Sequence, residues 1–388
     1  MAKGDVCKLR LECIAQGGDA LGRLEGKSVF VEGGAPEETV VCAIAEEHGT
    51  WARARLLEIH EPSPARIEPA CPFYGKCGGC NLQHIDYEAQ LSAKTAILKN
   101  SILRAGGFSP PEPEIFPGPP LEYRNRMQFH CFRQNTGNSG GCKFGLKGRG
   151  SGEITAVSDC LVAEPGIREL LRVGGNALPL PPEKDRFTVF SKGGLFLSEG
   201  GVQRGKLKLL DREISLDAGL FFQSNTAMLE KLVLELKKTA EGARHDLPMA
   251  DLYCGVGTFA VFLGGSFPAV VLAEENKKAA ALARENLRGT NGEFFALRDT
   301  DWAKTVLRRK PAFGFAVADP PRTGLAPDAS RSLAREGPPL LAYVSCDPAS
   351  LARDSAVLTK GGYTLKKLAL FDFYPQTAHI ESLAVFEK

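Results

Sequence analysis

Asp251-Leu-Tyr-Cys-Gly-Val-Gly-Thr-Phe259 is the stretch from which the fold is read. The apolar residues in and before it (Met249, Ala250, Leu252, Tyr253) predict a short buried strand. Two glycines follow within a turn, and Phe259-Ala-Val-Phe-Leu263 reads as the start of a helix. Strand, Gly-rich turn and helix start make a nucleotide cradle. The glycines let backbone approach the ligand, and the first N–H groups of the helix point at it. Gly255-x-Gly257-x-x-Ala260 also fits the dinucleotide fingerprint, so the turn alone leaves a nicotinamide and a methyl donor both open.

The chain after the turn alternates strands and helices, which predicts a mostly parallel sheet. Ala269–Ala273 is the second strand and ends at Glu274-Glu275, where a carboxylate can accept from ribose hydroxyls; Glu274 is the first candidate. The third strand, Glu293–Leu297, ends near Asp299 and Asp301, either of which can meet an adenine amino group. The fourth, Phe313–Ala318, ends in Asp319-Pro-Pro-Arg322, and the fifth, Leu340–Val344, ends in Ser345-Cys346-Asp347-Pro348. A last β ribbon spans Tyr363–Phe371 and Ser382–Phe386, with His379 and Glu381 just before its final strand. These polar ends share the carboxyl edge of the sheet, where open α/β sheets bind ligands.

The rigid Asp319-Pro-Pro turn and a thiol at strand five favour a methyltransferase. Carbon 5 of uracil is a poor nucleophile until a thiolate adds to carbon 6, and a base must later remove the carbon-5 proton. Cys346 and Glu381 fit the roles of thiolate and base. His379, two residues before Glu381, is a candidate supporting partner. Cys254, inside the cradle, reads as filler.

Upstream, residues 1–66 read as short strands with Gly turns, a small barrel of the oligonucleotide-binding kind. Lys8, Arg10, Arg23, Lys27, Arg53 and Arg55 offer a phosphate-binding face or simply a solvated one. Cys71-x5-Cys77-Gly-Gly-Cys80 forms a chelating loop for zinc or an iron–sulfur cluster, with Cys131, Cys142 and Cys160 as candidates for a fourth ligand. Residues 86–105 predict one amphipathic helix, and Ser109–Pro120 a stiff linker. Tyr123–Phe132 reads as a strand with Arg124 and Arg126 on one face, and residues 140–216 as further short strands. Leu220–Asn225 leads into a helix at roughly 225–240.

Composition sets the outer bounds. The 388 residues allow two or three domains, and a net charge of +2 confines any nucleic-acid binding to local patches. An odd cysteine count, 11, with no apolar signal core at the N-terminus, points to a reducing cytoplasm rather than to disulfides. No apolar run is long enough to span a bilayer, and no obligate protein partner is implied.

In combination these motifs resemble the RNA uracil-5-methyltransferase family, over nearly the whole chain. The resemblance is carried by Gly17–Arg23, Gly26–Val31 and Pro62–Arg66, which are similar to a TRAM domain; by the Cys71, Cys77, Cys80 loop; and by Phe221–Asn225, Asp251–Phe259, Asp319–Gly324, Ser345–Pro348 and His379-Ile-Glu381. It implies a Rossmann-like S-adenosylmethionine methyltransferase domain (89–121 and 220–388), an N-terminal TRAM-like β-barrel (1–66), and a central antiparallel β domain (67–88 and 122–219) carrying a [4Fe–4S] cluster. It implies Cys71, Cys77, Cys80 and Cys160 as cluster ligands, Cys346 as nucleophile and Glu381 as base. Gln223, Tyr253, Gly255, Gly257, Thr258, Glu274, Asp299 and Asp319 would form the S-adenosylmethionine site. Arg124, Arg126 and Phe221 are candidates for holding RNA bases. The expected product is 5-methyluridine, in 23S ribosomal RNA by preference. A transfer-RNA target, an RNA cytosine-5-methyltransferase and a non-catalytic RNA-binding iron–sulfur protein are the alternatives.

Overall fold

A computed structural model describes residues 2–133, 142–150, 152–173, 185–307 and 312–388. The parts of the 140–216 stretch at 140–141, 151 and 174–184 lie outside the described residues. The chain divides into two compact units. One comprises Met1–Ile97, Leu146–Val157 and Tyr374–His379; the other comprises Leu98–Gly145, Ser158–Phe373 and Ile380–Lys388.

The first unit is built on a closed barrel of β1 (Val6–Ile14), β2 (Ala20–Leu24), β3 (Lys27–Glu32), β4 (Thr39–Glu47) and β5 (Trp51–Glu61), ordered β1-β2-β3-β5-β4. The side-chain period of two dictates its packing: Leu9, Leu11, Val29, Val31, Val40, Cys42, Ile44, Ala52 and Ala54 point in, while Lys8, Arg10, Arg53 and Arg55 alternate outward. Part of the basic face is already matched by acids, since Lys27 pairs with Glu47 and Arg23 lies 3.8 Å from Glu12. Glu38, fully buried, is held by Arg66, which also donates to the Gly33 carbonyl at 2.7 Å. Asn81 ties residues 374–379 into this unit: it donates to the Gly17 carbonyl and accepts from Ala378 N, both at 2.8 Å.

Between barrel and main sheet the chain forms α1 (Tyr87–Ser101), which runs on as a π turn over Ile102–Gly106 and stops at Gly107, in the left-handed conformation at φ 77°. The expected single helix is therefore α-helical only to Ser101. The expected linker is not wholly a linker either. Glu114–Phe116 is a strand, β6, added in parallel to the edge of the main sheet, where the Phe116 ring stacks on Phe371 at 4.3 Å.

In the second unit β7 (Arg126–Arg133), β8 (Cys142–Lys147), β10 (Arg186–Lys192) and β11 (Leu195–Ser198) pair in the order β11-β10-β7-β8, with β9 (Ile154–Ala156) following β8 in sequence. Phe129, Phe144 and Phe187 pack between them at 5.3–5.7 Å. Helix α2 (Pro165–Val173) and the hairpin of β12 (Arg204–Leu209) and β13 (Arg212–Asp217) complete this region. Helix α3 (Thr226–Glu241) is capped by the Asn225 side chain, which accepts from Met228 N and donates to the Phe373 carbonyl at 3.0 Å.

The main sheet contains β14 (Met249–Leu252), β15 (Val270–Ala273), β16 (Gly292–Phe295), β17 (Phe315–Ala318), β18 (Leu340–Ser345), β19 (Thr364–Phe371) and β20 (Glu381–Glu387). Its order is β16-β15-β14-β17-β18-β20-β19-β6. The strands from β14 to β18 run parallel; β20 is inserted antiparallel between β18 and β19. Between them run α4 (Thr258–Leu263), α5 (Lys277–Asn286), α6 (Asp299–Thr305), α7 (Pro327–Glu336) and α8 (Pro348–Lys360). β14 and β18 are buried throughout, as near-continuous apolar runs of a parallel sheet must be. The strand order reverses between β14 and β17, so their carboxyl ends open a crevice for a ligand.

Candidate active site

The crevice is lined from β14. Asp251 is fully buried; its Oδ2 accepts from Ala260 N (3.0 Å), while its Oδ1 has no partner among the described residues. Burial first, then the Asp319 and Glu274 charges, push this carboxyl up to about 8. Tyr253 follows at φ 61°, a left-handed backbone that a tyrosine adopts at a cost of ~1–3 kcal/mol. Gly255 (φ 56°) and Gly257 (φ 82°) complete the turn, and Thr258 opens α4. A Cβ on Gly257 would meet Ala283 of α5 at 3.1 Å and Leu287, which caps it, at 3.2 Å, so glycine also permits the helix to close on the cradle. Cys254 is buried and its thiol is pushed well up by burial, as suits filler.

The two carboxylates after β15 differ sharply. Glu274 accepts from Gly255 N (3.0 Å) and Asn276 N (2.7 Å), which seats it against the glycine turn. Glu275 is exposed and pairs with Arg298 at 3.0 Å. After β16, Asp299 accepts from Tyr253 OH (2.8 Å) and Ala326 N (3.0 Å), whereas Asp301 is exposed on α6. The third strand, expected to run to Leu297 and end near Asp299, stops at Phe295; Asp299 is the first residue of α6, and the bond to Tyr253 ties it to the cradle.

On the far side of the crevice Asp319, half-buried, lies 3.5 Å from Gln223 Nε2. The turn after it is closed by Gly324 N donating to the Pro321 carbonyl (2.7 Å), with Arg322 at its tip. Cys346 leaves β18 half-buried. Burial, then the Glu381 and Asp319 carboxylates, push its thiol up to about 12, and Arg322 works in the opposite sense. Glu381 begins β20, is 3% exposed, and its Oε1 has no partner among the described residues. Burial and the Asp319 charge hold its carboxyl well above the ordinary range, again opposed by Arg322. A thiol, a buried carboxyl with a free acceptor and a second acid thus share one end of the sheet. Such a set can add a sulfur nucleophile and remove a carbon-bound proton.

Two charged residues of this site escaped the sequence reading. Asp251 was read only as part of the turn, and Arg322 only as the end of a proline motif. The signal available for Asp251 was a carboxylate inside an apolar run. His379, by contrast, belongs to the first unit, where its ring packs edge-on to Tyr374 at 5.5 Å.

The RNA candidates lie in the second unit. Phe221 is 62% exposed, and the Arg126 guanidinium sits 6.0 Å from its ring centroid. Arg124 precedes β7; it forms backbone bridges to Ala163 and Asn225, and its Nε is 3.4 Å from the Arg126 carbonyl.

The cysteine loop belongs to the first unit. Cys71 N donates to Gln83 Oε1 (3.2 Å), Cys77 N to the Phe73 carbonyl (2.8 Å), and Gly79 N lies 3.4 Å from Cys77 Sγ. Cys160, in the second unit, follows Asp159, which accepts from Arg168 and Arg172 at 2.8–2.9 Å. Cys71, Cys77, Cys80, Cys131 and Cys160 are all half-buried. Among the described residues no three His, Cys, Asp or Glu side chains converge as a metal-binding group. An amide aimed at a sulfur is chemistry that suits a thiolate ligand.

Comparison with known proteins matches this architecture. The profile of the tRNA (Uracil-5-)-methyltransferase family matches residues 293–388. An RNA methyltransferase of Treponema denticola is 34% identical over 94% of this chain and 94% of its own. A 23S rRNA (uracil(1939)-C(5))-methyltransferase of Pseudomonas putida is 32% identical over 98% of this chain and 93% of its own. Among solved structures, the tRNA (uracil-54, C5)-methyltransferase of Pyrococcus abyssi, in complex with S-adenosyl-L-homocysteine, superposes with a TM-score of 0.75 at 22% identity, covering 98% of this chain and all of that one. That likeness establishes the S-adenosylmethionine methyltransferase fold.

Proposed function

Because the chain belongs to the RNA uracil-5-methyltransferase family, whose members use S-adenosylmethionine, we propose that it methylates carbon 5 of a uridine in 23S ribosomal RNA. The observation that carries the reading is that Asp319, Cys346 and Glu381 share one edge of the sheet, at the carboxyl ends of β17 and β18 and the amino end of the antiparallel β20. Ribosomal RNA is favoured over transfer RNA because relatives at about this level of identity are named for 23S rRNA.

S-adenosylmethionine supplies an electrophilic methyl group. Gln223, Tyr253, Gly255, Gly257, Thr258, Glu274, Asp299 and Asp319 form its site in this reading. Cys346 Sγ, as the thiolate, adds to carbon 6 of the uracil; carbon 5 becomes an enolate-like nucleophile that takes the methyl group as the methyl–sulfur bond of the donor breaks and S-adenosylhomocysteine leaves. Glu381 then removes the carbon-5 proton and the Cys346–carbon 6 bond breaks. A buried carboxylate with raised proton affinity is suited to that abstraction. The target base must leave its stack, at a cost of a few kcal/mol that Phe221, Arg124 and Arg126 help to offset.

The cysteine loop is proposed to hold a [4Fe–4S] cluster on Cys71, Cys77, Cys80 and, by family resemblance, Cys160; its thiols would be drawn together by the metal. No chemical step is assigned to it. The domain reading is likewise ours: a barrel at 1–66 for RNA, a cluster domain at 67–88 and 122–219, and a catalytic domain at 89–121 and 220–388. A cytoplasmic location follows from the RNA target; among the described residues no helix is long and apolar enough to cross a membrane.

The test incubates anaerobically purified protein with labelled S-adenosylmethionine and unmodified ribosomal or transfer RNA, then digests the RNA and identifies the labelled nucleoside. Label in 5-methyluridine of 23S RNA is expected. Label in transfer RNA or in 5-methylcytidine would overturn the substrate or the base assignment. No label from protein that binds the donor would favour a non-catalytic RNA-binding role. Iron and sulfide analysis of the same preparation tests the cluster, and substoichiometric iron would count against it.

A further inference from the structure

Asn286 is the last residue of α5, and its side-chain amide serves two other elements at once. Its Oδ1 accepts from Ser215 N at 2.8 Å, and its Nδ2 donates to the Ser215 carbonyl at 3.2 Å. The same Nδ2 donates its second hydrogen to the Val256 carbonyl at 2.9 Å. These partners set the orientation of the amide. Turned over, it would bring its oxygen against two carbonyls and its nitrogen against an N–H.

Toward Ser215 the side chain behaves as one more peptide group of a ladder, taking up both the N–H and the carbonyl of that residue. Ser215 lies in β13, and Leu207, Leu209, Ile214 and Leu216 of the same hairpin are buried. The hairpin is thus a packed element, and Asn286 is fastened to it.

Toward the cradle the bond falls on its least constrained stretch. Val256 stands between Gly255 (φ 56°) and Gly257 (φ 82°). Two glycines flanking one residue let its peptide groups turn at little steric cost, so bonds must select one conformation. The Val256–Gly257 peptide has such a bond at each end. Gly257 N donates to the Cys254 carbonyl at 2.8 Å, inside the turn itself, and Asn286 holds the Val256 carbonyl from α5. Glu274 holds the preceding peptide by accepting from Gly255 N at 3.0 Å.

We propose that Asn286 is a positioning residue for the methyl donor: it locks the Val256–Gly257 peptide of the cradle and makes the β12–β13 hairpin a brace for it. The assignment of this turn to the donor rests on the methyltransferase reading above; the lock on the peptide does not. Asn286 acts through the backbone of the turn, so its removal changes how much of the protein is ready to bind the donor, not the methyl-transfer step.

The test begins with hydrogen–deuterium exchange of the full chain without ligand, read by mass spectrometry on peptides covering the 253–259 turn. Asn286→Ala is expected to exchange about tenfold faster there, with barrel peptides unchanged, as for the loss of one hydrogen bond that resists local opening. Calorimetry with S-adenosylhomocysteine should show affinity about tenfold weaker, because the competent turn becomes the minor form. In turnover the KM for S-adenosylmethionine should rise while kcat at saturating donor holds, a split that a general loss of folded protein would not give. Arg204→Ala is the control: it removes the exposed 3.0 Å pair between the same hairpin and Glu285 of α5, and should behave as wild type. Unchanged exchange of the turn in folded Asn286→Ala would overturn the proposal. So would unchanged S-adenosylhomocysteine affinity, or an equal loss in Arg204→Ala, which would assign the effect to hairpin docking alone. Should Asn286→Ala fail to fold, Asn286→Asp decides, since it keeps the acceptor for Ser215 N and loses both donated bonds. A wild type that binds no S-adenosylhomocysteine, with the turn still loosened in Asn286→Ala, would refute the donor reading and uphold the lock.

Discussion

Ser345 and Ser382 are partners in the antiparallel register of β18 and β20, and the Ser382 hydroxyl donates to the Ser345 carbonyl at 3.2 Å. The residue after the first is Cys346, and the residue before the second is Glu381. The ladder therefore delivers the proposed nucleophile and the proposed base to the same edge, opposite each other, from positions far apart in sequence. A slip of one residue of β20 in this register would turn Glu381 to the other face, away from Cys346. The insertion of β20 between β18 and β19 is thus what makes the pair.

Glu381→Gln separates the two roles. It removes the proposed base and also a negative charge that opposes the Cys346 thiolate. Methyl transfer should fall by about 10²–10⁴-fold. Cys346 should at the same time react faster with iodoacetamide at a given pH, and a protein–RNA adduct should accumulate on denaturing gels, because the carbon-5 proton cannot leave. In the wild type both groups work deprotonated and both are shifted upward, so kcat/KM should rise with pH through the neutral range. A profile already flat at mildly acidic pH would contradict this.

Glu274 and Glu275 allow a paired comparison. Glu274→Gln weakens acceptors for Gly255 N and Asn276 N at the cradle, whereas Glu275→Gln breaks only an exposed pair with Arg298. Titration calorimetry with S-adenosylhomocysteine should show a loss of about 10-fold or more for the first, as for a charged hydrogen-bonding partner. The second should bind as wild type, since exposed pairs contribute little. Equal affinities for both would remove Glu274 from the donor site.

Arg126→Ala and Phe221→Ala should each weaken RNA binding while leaving donor binding unchanged. The guanidinium sits 6.0 Å from the centroid of an exposed ring, an arrangement that offers a cation and a stacking face to unpaired bases. A filter-binding titration reads the first effect and calorimetry the second. Undiminished RNA affinity in both variants would place base recognition elsewhere.

Much of this was legible in the sequence because the signals are local. The glycine turn, the apolar parallel strands and the polar residues after each strand all lie within a few residues of one another. Pairings over long separations were not legible. Glu114–Phe116 reads as part of a proline-rich linker, and its role as an edge strand depends on Phe371, more than two hundred residues later. The choice between Glu274 and Glu275 turns on backbone amides that only the folded turn presents. The hydrogen bonds that tie Tyr343 and Asp354 to the turn around Gly324 are announced by no spacing in the sequence. The cysteine loop is the opposite case: its motif is plain from spacing alone.

Asp251 sets a price on the cradle that pH should reveal. Its carboxyl ordinarily titrates at 3.8 but is pushed up to about 8 in the fold, chiefly by burial. Between those values the native state binds more protons than the unfolded one, so this group's contribution to stability falls as pH rises, by about 1.4 kcal/mol per unit at most. Asp251→Asn can keep the acceptor for Ala260 N while discarding the charge. In the absence of donor, the variant's melting temperature relative to wild type should therefore increase from about pH 5 to about pH 8. A cationic donor beside the unpartnered Oδ1 would reverse the balance, stabilising the wild type more than the variant. Thermal melts at both pH values, with and without S-adenosylmethionine, decide the matter. A pH-independent difference between variant and wild type would mean that Asp251 is already ionised in the free cradle, and that its unpartnered oxygen is stabilised by something other than the donor.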